Sequence, residues 1–277
     1  MCSATGSTVK HTSPTRICTY EFEAPEDKAT QTQIAQILTS LDDKIELNLQ
    51  INQTLEAMAQ AIFKEWFVDF KFPGFDGELV DGLPKGWRIG KVSDVCEVNI
   101  NTLSSKDKID KIKYIEISEV DKGMIKSTSV YKRGEEPSRA KRKLLHGDIV
   151  LSTVRPNRGS YFLSLYPDTN LIASTGFAVF TATSVPFSFL YCFLTDEKQI
   201  EYYGKMADGA AYPAINQNVI MKMNLVVPTN DILKSYNDVV ENFYLKMYEN
   251  LKANKSLTAT RDTLLPKLMS GKIEIKN

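Results

Sequence analysis

Histidine and cysteine are scarce in this sequence, and neither is arranged for chemistry. The two histidines, His11 and His146, lie far apart, and the four cysteines, Cys2, Cys18, Cys96 and Cys192, form no CxxC pair. No zinc-ligand spacing or disulfide framework results, and the expectation is of reduced thiols in a cytoplasmic protein. The GxxxxGK[ST], helix-opening GxGxxG, GxSxG and HExxH signatures of nucleotide binding, hydrolysis and zinc proteolysis are also missing. Asp42-Asp43, an acidic pair, falls on a long helical pattern where carboxylates face solvent by default. The first residues are polar, so no signal peptide is expected. One uncharged stretch, Thr169 to Thr195, is long enough to imitate a membrane span, but Ser174, Thr175, Gly176, Pro186 and Ser188 interrupt it. Its alternation around Phe177 to Phe180 predicts a core strand, followed by a short helix from Pro186 to about Tyr203. Formal net charge is zero, so a nucleic-acid surface would have to be a local patch.

What the chain does have is a repeated helical pattern. Counting in sevens gives Ile34, Leu41, Asn48, Leu55 and Ile62, and again Tyr236, Phe243, Asn250, Leu257 and Leu264. Each is an apolar seam interrupted by asparagine at the same step, 202 residues apart. Lys44 and Lys246 match as well, as do Asn52 and Asn254. The pattern predicts two long helices, about Lys28 to Phe67 and Asn230 to Leu264, packed as an antiparallel coiled coil with Asn48 and Asn250 as a buried amide pair near mid-length. Such a pair costs stability relative to leucine but penalises slipped registers, as suits a fixed spacer. The repeat continues upstream: Gly6 to Pro25 aligns with Gly209 to Pro228 at an offset of 203, with Ile17 matching Ile220.

The organisation that follows is a remnant of a preceding module in residues 1–27, a first helix and its exit in 28–72, a mixed α/β (α+β) globular domain in 73–228, and a second helix with its tail in 229–277. In the remnant, Ile17, Thr19 and Tyr20 to Phe22 suggest an edge strand, and Pro25 to Asp27 a helix start. Pro73-Gly74, Asp76-Gly77, Asp81-Gly82 and Pro84-Lys85-Gly86-Trp87 mark the loop into the domain. Strands are expected in Arg88 to Val98, Tyr114 to Ile117, Asp148 to Thr153, Ser160 to Leu165, Phe177 to Phe180 and Val219 to Val227. Asn216 to Met223 is a competing helical candidate.

The densest basic segment is Tyr131 to Gly159. It holds Lys132, Arg133, Arg139, Lys141, Arg142, Lys143, Arg155 and Arg158 on what read as two neighbouring loops, a local excess of five positive charges over its acids. Phosphate neutralisation needs such a cluster, and arginine adds bidentate bonding to guanine edges. Pro156 and Gly159 would hold Arg155, Asn157 and Arg158 on a tight exposed loop. A second candidate is Gly209 to Gln217, where Tyr212 offers stacking and Asn216 and Gln217 offer amide readout; a turn with Asn216 as helix N-cap is the alternative. A charge run is often only a solvated face, and an assembly module built on the helix pair, without DNA preference, stays open on the residues alone.

IAQILTSLDDKIELNLQINQTLEAMAQAIFKEWFVDF, LPKGW, GDIVLSTVRPNRGSYF and the closing TLLPKLMSGKIEI resemble specificity subunits of type I restriction-modification systems. The resemblance covers nearly the whole chain. It implies a non-catalytic subunit in which target-recognition domains each read one half of a bipartite DNA site while antiparallel helices set the spacing and dock methyltransferase subunits. It further implies that S-adenosylmethionine, ATP and Mg belong to the partner methyltransferase and restriction subunits and none to this chain. Only one whole recognition domain is found here, against the usual two. A half-subunit could dimerise to read a split palindrome; a truncated form would read one half-site.

Overall fold

Asp27 starts the first long helix: its carboxylate accepts from the Thr30 backbone amide at 2.8 Å, satisfying one of the donors a helix N-terminus leaves open. The structure, a computed structural model, describes residues 13–21, 24–209 and 212–273. In chain order its elements are α1 (Pro14–Cys18), α2 (Lys28–Phe63), β1 (Leu79–Val80), β2 (Leu83–Pro84), β3 (Arg88–Lys91), β4 (Cys96–Val98), β5 (Lys111–Ile115), β6 (Val120–Asp121), β7 (Met124–Ile125), β8 (Ser129–Lys132), β9 (Ala140–Lys143), β10 (Asp148–Ser152), β11 (Tyr161–Ser164), β12 (Leu171–Ser174), β13 (Phe177–Ala182), α3 (Phe187–Thr195), α4 (Glu197–Lys205), α5 (Gln217–Met221), β14 (Asn224–Val227) and α6 (Asn230–Met269). They form two compact units, one of Met1–Ile51 with Glu249–Asn277 and the other of Asn52–Tyr248. No helix among the described residues is long and apolar enough to cross a membrane.

In the first unit the two long helices pair through polar groups as much as through apolar ones. Ile34 and Leu268 are buried, and Leu41, Leu257 and Leu264 are half-buried along the seam. Asn48 and Asn250 are buried as well, but Asn48 does not pair with Asn250. Its Nδ2 donates to Asn254 Oδ1 at 2.7 Å, and Asn254 Nδ2 donates to the Ile45 carbonyl at 3.1 Å. Arg261 reaches Asp42 at 2.7 Å. The partners run in opposite directions, so the packing is antiparallel. Counting in sevens locates the seam, but an antiparallel partner is set by where the helices cross, and that shifts the amide contact by one helical turn.

Within the second unit, which begins at Asn52, the helix changes pitch near its end. Lys64–Val68 form a π turn, whose wider winding turns Trp66 and Phe67 both inward. Phe67 stands 4.9 Å, ring to ring, from both Phe189 and Tyr236, and 5.8 Å from Trp87. Leu55, Ile62 and Phe243 pack at the edge of this core. Asn52 Nδ2 donates to the Met247 carbonyl at 3.2 Å. This bond is the counterpart of Asn254 to Ile45 under the 202-residue repeat.

Two four-stranded sheets, ordered β11-β10-β13-β4 and β8-β5-β12-β9, make the body of the unit. The first is antiparallel, and the second contains the parallel pair β5–β12. Every residue of β10 is buried. Ile149 and Leu151 join the core that contains Phe189 and Leu190 of α3, while Val150 packs in a cluster with Ile115 and Ala173 of the other sheet. Burial on both faces explains why this strand reads as a continuous apolar run. β14 pairs with β3, tying the end of the domain to its beginning.

Three local expectations are corrected. Residues Pro14–Cys18 are helical, so Ile17 is not in an edge strand; Phe22 lies outside the described residues. This helix falls on α5 at the 203-residue offset, Pro14 on Gln217 and Cys18 on Met221. The strand expected over Val219–Val227 begins only at Asn224, because Asn216 caps α5 ahead of it. A 3-10 turn at Val92–Asp94 splits Arg88–Val98 into β3 and β4.

Candidate nucleic-acid interface

Four separated segments meet at the end of β10. Thr153 donates its backbone amide to the Gly176 carbonyl at 2.9 Å, Thr175 donates to Arg139 at 2.8 Å, and Ile215 donates to Thr153 at 2.9 Å. The chain then turns sharply. Arg155 has φ +48° and Gly159 φ +68°, bracketing a three-residue 3-10 turn at Pro156–Arg158. The left-handed region is unfavourable for arginine and is held only where surroundings determine it. Here Pro156 is buried, and the Arg155 amide donates to the Pro213 carbonyl at 2.7 Å. The Arg155 guanidinium lies 4.4 Å from the centroid of the Tyr212 ring, which is 71% exposed. Asn157 and Arg158 are exposed on the same turn. The result is a tight loop that brings together the half-buried Arg155, the exposed Asn157 and Arg158 and an exposed aromatic ring, a combination suited to phosphates and base edges.

The earlier part of the basic segment is arranged differently. Lys132, Lys141, Arg142 and Lys143 lie on strands β8 and β9, not on loops. Arg133 is ion-paired to Glu136 and donates to the Ser104 carbonyl at 2.8 Å. Lys143 is paired with Asp107, whose carboxyl is held down to about 2 by that ammonium and by bonds from Ser104. Burial lowers the pKa of the Arg142 guanidinium, whose Nε is buried without a hydrogen-bond partner. Lys132 and Arg139 are exposed and Lys141 is half-buried.

The amides of the second candidate have structural tasks. Asn216 is the N-cap of α5, its oxygen accepting from the Asn218 amide at 2.9 Å. Gln217 Oε1 accepts from Asn99 Nδ2 at 3.1 Å, and Asn99 in turn accepts from the Val179 amide in β13. Tyr212 and Asn216 are exposed and Gln217 is half-buried; of the three, Tyr212 lies against the arginine loop.

Sequence reasoning missed Lys122. It sits in the turn between β6 and β7, and a Cβ placed on Gly159 would come within 3.3 Å of its side chain. The Asp121-Lys122-Gly123 string announces a turn, but nothing local shows that its ammonium-bearing stem lies over the arginine loop. His146 is structural: Nδ1 accepts from the Tyr166 amide at 3.3 Å and its ring stacks on Tyr166. Among the described residues no group of histidine, cysteine and carboxylate side chains could hold a metal ion.

The family model for the type I restriction modification DNA specificity domain matches residues 1–57 and 84–259. The chain belongs to this family. It is 26% identical over 311 aligned residues to the type I restriction enzyme HindI specificity subunit of Haemophilus influenzae, covering 89% of this chain and 68% of that one. It is 25% identical to the MjaIX specificity subunit of Methanocaldococcus jannaschii, covering 92% of this chain and 60% of the relative. The crystal structure of a type I restriction-modification S subunit from M. genitalium shares the fold, with a TM-score of 0.55 at 17% identity, over 99% of this chain and 68% of that one. This member of the family thus spans about 60 to 68% of the length of the curated relatives it matches. In this chain the fold comprises a mixed α/β domain and two long helices that pack on each other.

Proposed function

We propose that this chain is the non-catalytic DNA-recognition subunit of a cytoplasmic type I restriction-modification complex. Residues 73–228 read one half of a bipartite duplex site. The helices of 28–72 and 229–277 act as spacer and docking surface for methyltransferase subunits, with a restriction subunit joining the full complex. S-adenosylmethionine, ATP and Mg are bound by those partners. The observation that carries the reading is the Arg155–Arg158 loop with Tyr212, a preorganised cationic and aromatic surface on a chain of this family. Lys122 and Arg139 extend it, and Lys132 and Lys141 supply more distant phosphate contacts. Arg133, Arg142 and Lys143 support the scaffold more than the contact, as Asn216 and Gln217 do.

Residues 1–27 are the end of a second recognition module, supported by the five-residue helix that α1 and α5 share at equivalent positions. A homodimer would set two such modules on one duplex and direct methylation to a split palindrome. Mapping methylated adenines after co-expression with the methyltransferase subunits tests this. A split palindrome supports the dimer, an asymmetric bipartite site contradicts it, and methylation without sequence preference contradicts the recognition role altogether.

A further inference from the structure

One carboxylate of the long helix does not behave as a helix-surface group. Glu56 Oε1 accepts from the Tyr191 hydroxyl at 2.6 Å. Its other oxygen lies under the β6–β7 turn, 2.5 Å from where a Cβ on Gly123 would stand. Gly123 has φ +72°, so this position excludes side chains twice, by conformation and by the carboxylate beneath it. The Gly123 amide donates to the Tyr161 carbonyl at 2.9 Å, joining the turn to the strand that leaves the arginine loop. The preceding residue, Lys122, lies over Gly159, the last residue of that loop. A continuous path of contacts therefore runs from α2 through Glu56, the Lys122-Gly123 turn and Gly159 to Arg158. Burial pushes the Glu56 carboxyl pKa up, a cost that a solvated helix position would avoid.

We propose that Glu56 is a positioning residue for DNA recognition: it props the β6–β7 turn so that Lys122 contacts a phosphate beside the Arg155–Arg158 loop. The long helix thereby fixes the orientation of the reading surface as well as supporting its core. This rests on the reading of that loop as the DNA-facing one.

The test is a double-mutant cycle on the full 277-residue chain, read as the salt dependence of binding to a mixed-sequence duplex. Lys122→Ala alone should lower the slope of log affinity against log salt by about 1, the loss of one phosphate contact. Glu56→Ala should lower it by the same amount, and Lys122→Ala added to Glu56→Ala should change nothing further. Glu56→Gln, which keeps the acceptor for Tyr191 and the bulk beneath Gly123, should retain the parent slope. Should Glu56→Ala fail to fold, Gly123→Ala replaces it in the cycle with the same expectation. If Lys122→Ala lowers the slope equally with and without Glu56, the carboxylate supports only the fold and the inference is overturned. If Lys122→Ala has no effect while Arg158→Ala weakens binding, the inference is overturned and the loop reading stands. If neither variant affects binding, the loop reading fails and the inference fails with it.

Discussion

Arg133, Arg142 and Lys143 are held within the strands and turns that carry them, whereas Arg155 and Arg158 stand on a left-handed loop beside an exposed tyrosine. The two regions belong to one domain and carry the same kind of charge. They differ in what the fold has put opposite each cation. Glu136 and the Ser104 carbonyl answer Arg133, Asp107 answers Lys143, and Arg142 is half-buried in its strand, whereas a tyrosine ring lies against Arg155. A guanidinium paired with a carboxylate must give up that partner to bind phosphate. The Tyr212 ring beside Arg155 keeps that guanidinium oriented without neutralising it. Charge density alone therefore does not mark an interface; the partner of each charge does.

The comparison can be broken most sharply at the loop. Arg155→Ala and Arg158→Ala are each expected to weaken binding to the preferred duplex by about 1–3 kcal/mol, roughly five- to 150-fold, with the melting temperature unchanged. Titrations paired with thermal melts check both halves of that statement. Tyr212→Ala should act in the same direction but less, by about 0.5–1 kcal/mol, the typical strength of an exposed cation–π contact. A loss as large as that of Arg155→Ala would mean that the ring itself stacks on a base.

Arg133→Ala should do the reverse, costing about 1 kcal/mol of stability in denaturant unfolding while leaving the DNA titration unchanged. Weaker DNA binding in a fully folded Arg133→Ala protein would dissolve the distinction between the regions. The smallest expected effect concerns pH. Asp107 is depressed to about 2 by Lys143 and Ser104, so its contribution to stability is present above the ordinary aspartate value near 3.8 and is lost as pH falls through about 2. In melts across that window the stability difference between parent and Asp107→Asn should shrink as pH falls; a difference that persists at the acid end would show that Lys143 is not the partner that matters.

Much of the architecture was legible in the sequence because it rests on periodicity. The heptads locate α2 and α6, and the matched asparagines identify them as one repeated element. The Asn48–Asn254 contact was not legible, since the crossing point of antiparallel helices is a tertiary property. Nor was the helicity of Pro14–Cys18, a segment too short for its composition to outweigh context. The arginine loop was readable from Arg155-Pro156-Asn157-Arg158-Gly159, where proline and glycine announce the turn. The neutralised part of the basic segment was not, because Ser104 and Asp107 lie about thirty residues before the cations they hold. Lys122 and Glu56 were missed for the same reason: each gains its meaning from a contact with a residue distant in the chain.

On the proposed reading, one surface loop of this chain selects DNA by sequence. Selection of bound duplexes from a random-sequence pool, followed by sequencing, tests it directly. Enrichment of a defined half-site by the parent chain, degraded by Arg155→Ala and retained by Arg133→Ala, is the predicted result. A pool that emerges unenriched, or an enriched motif that survives loss of both Arg155 and Arg158, would contradict the account.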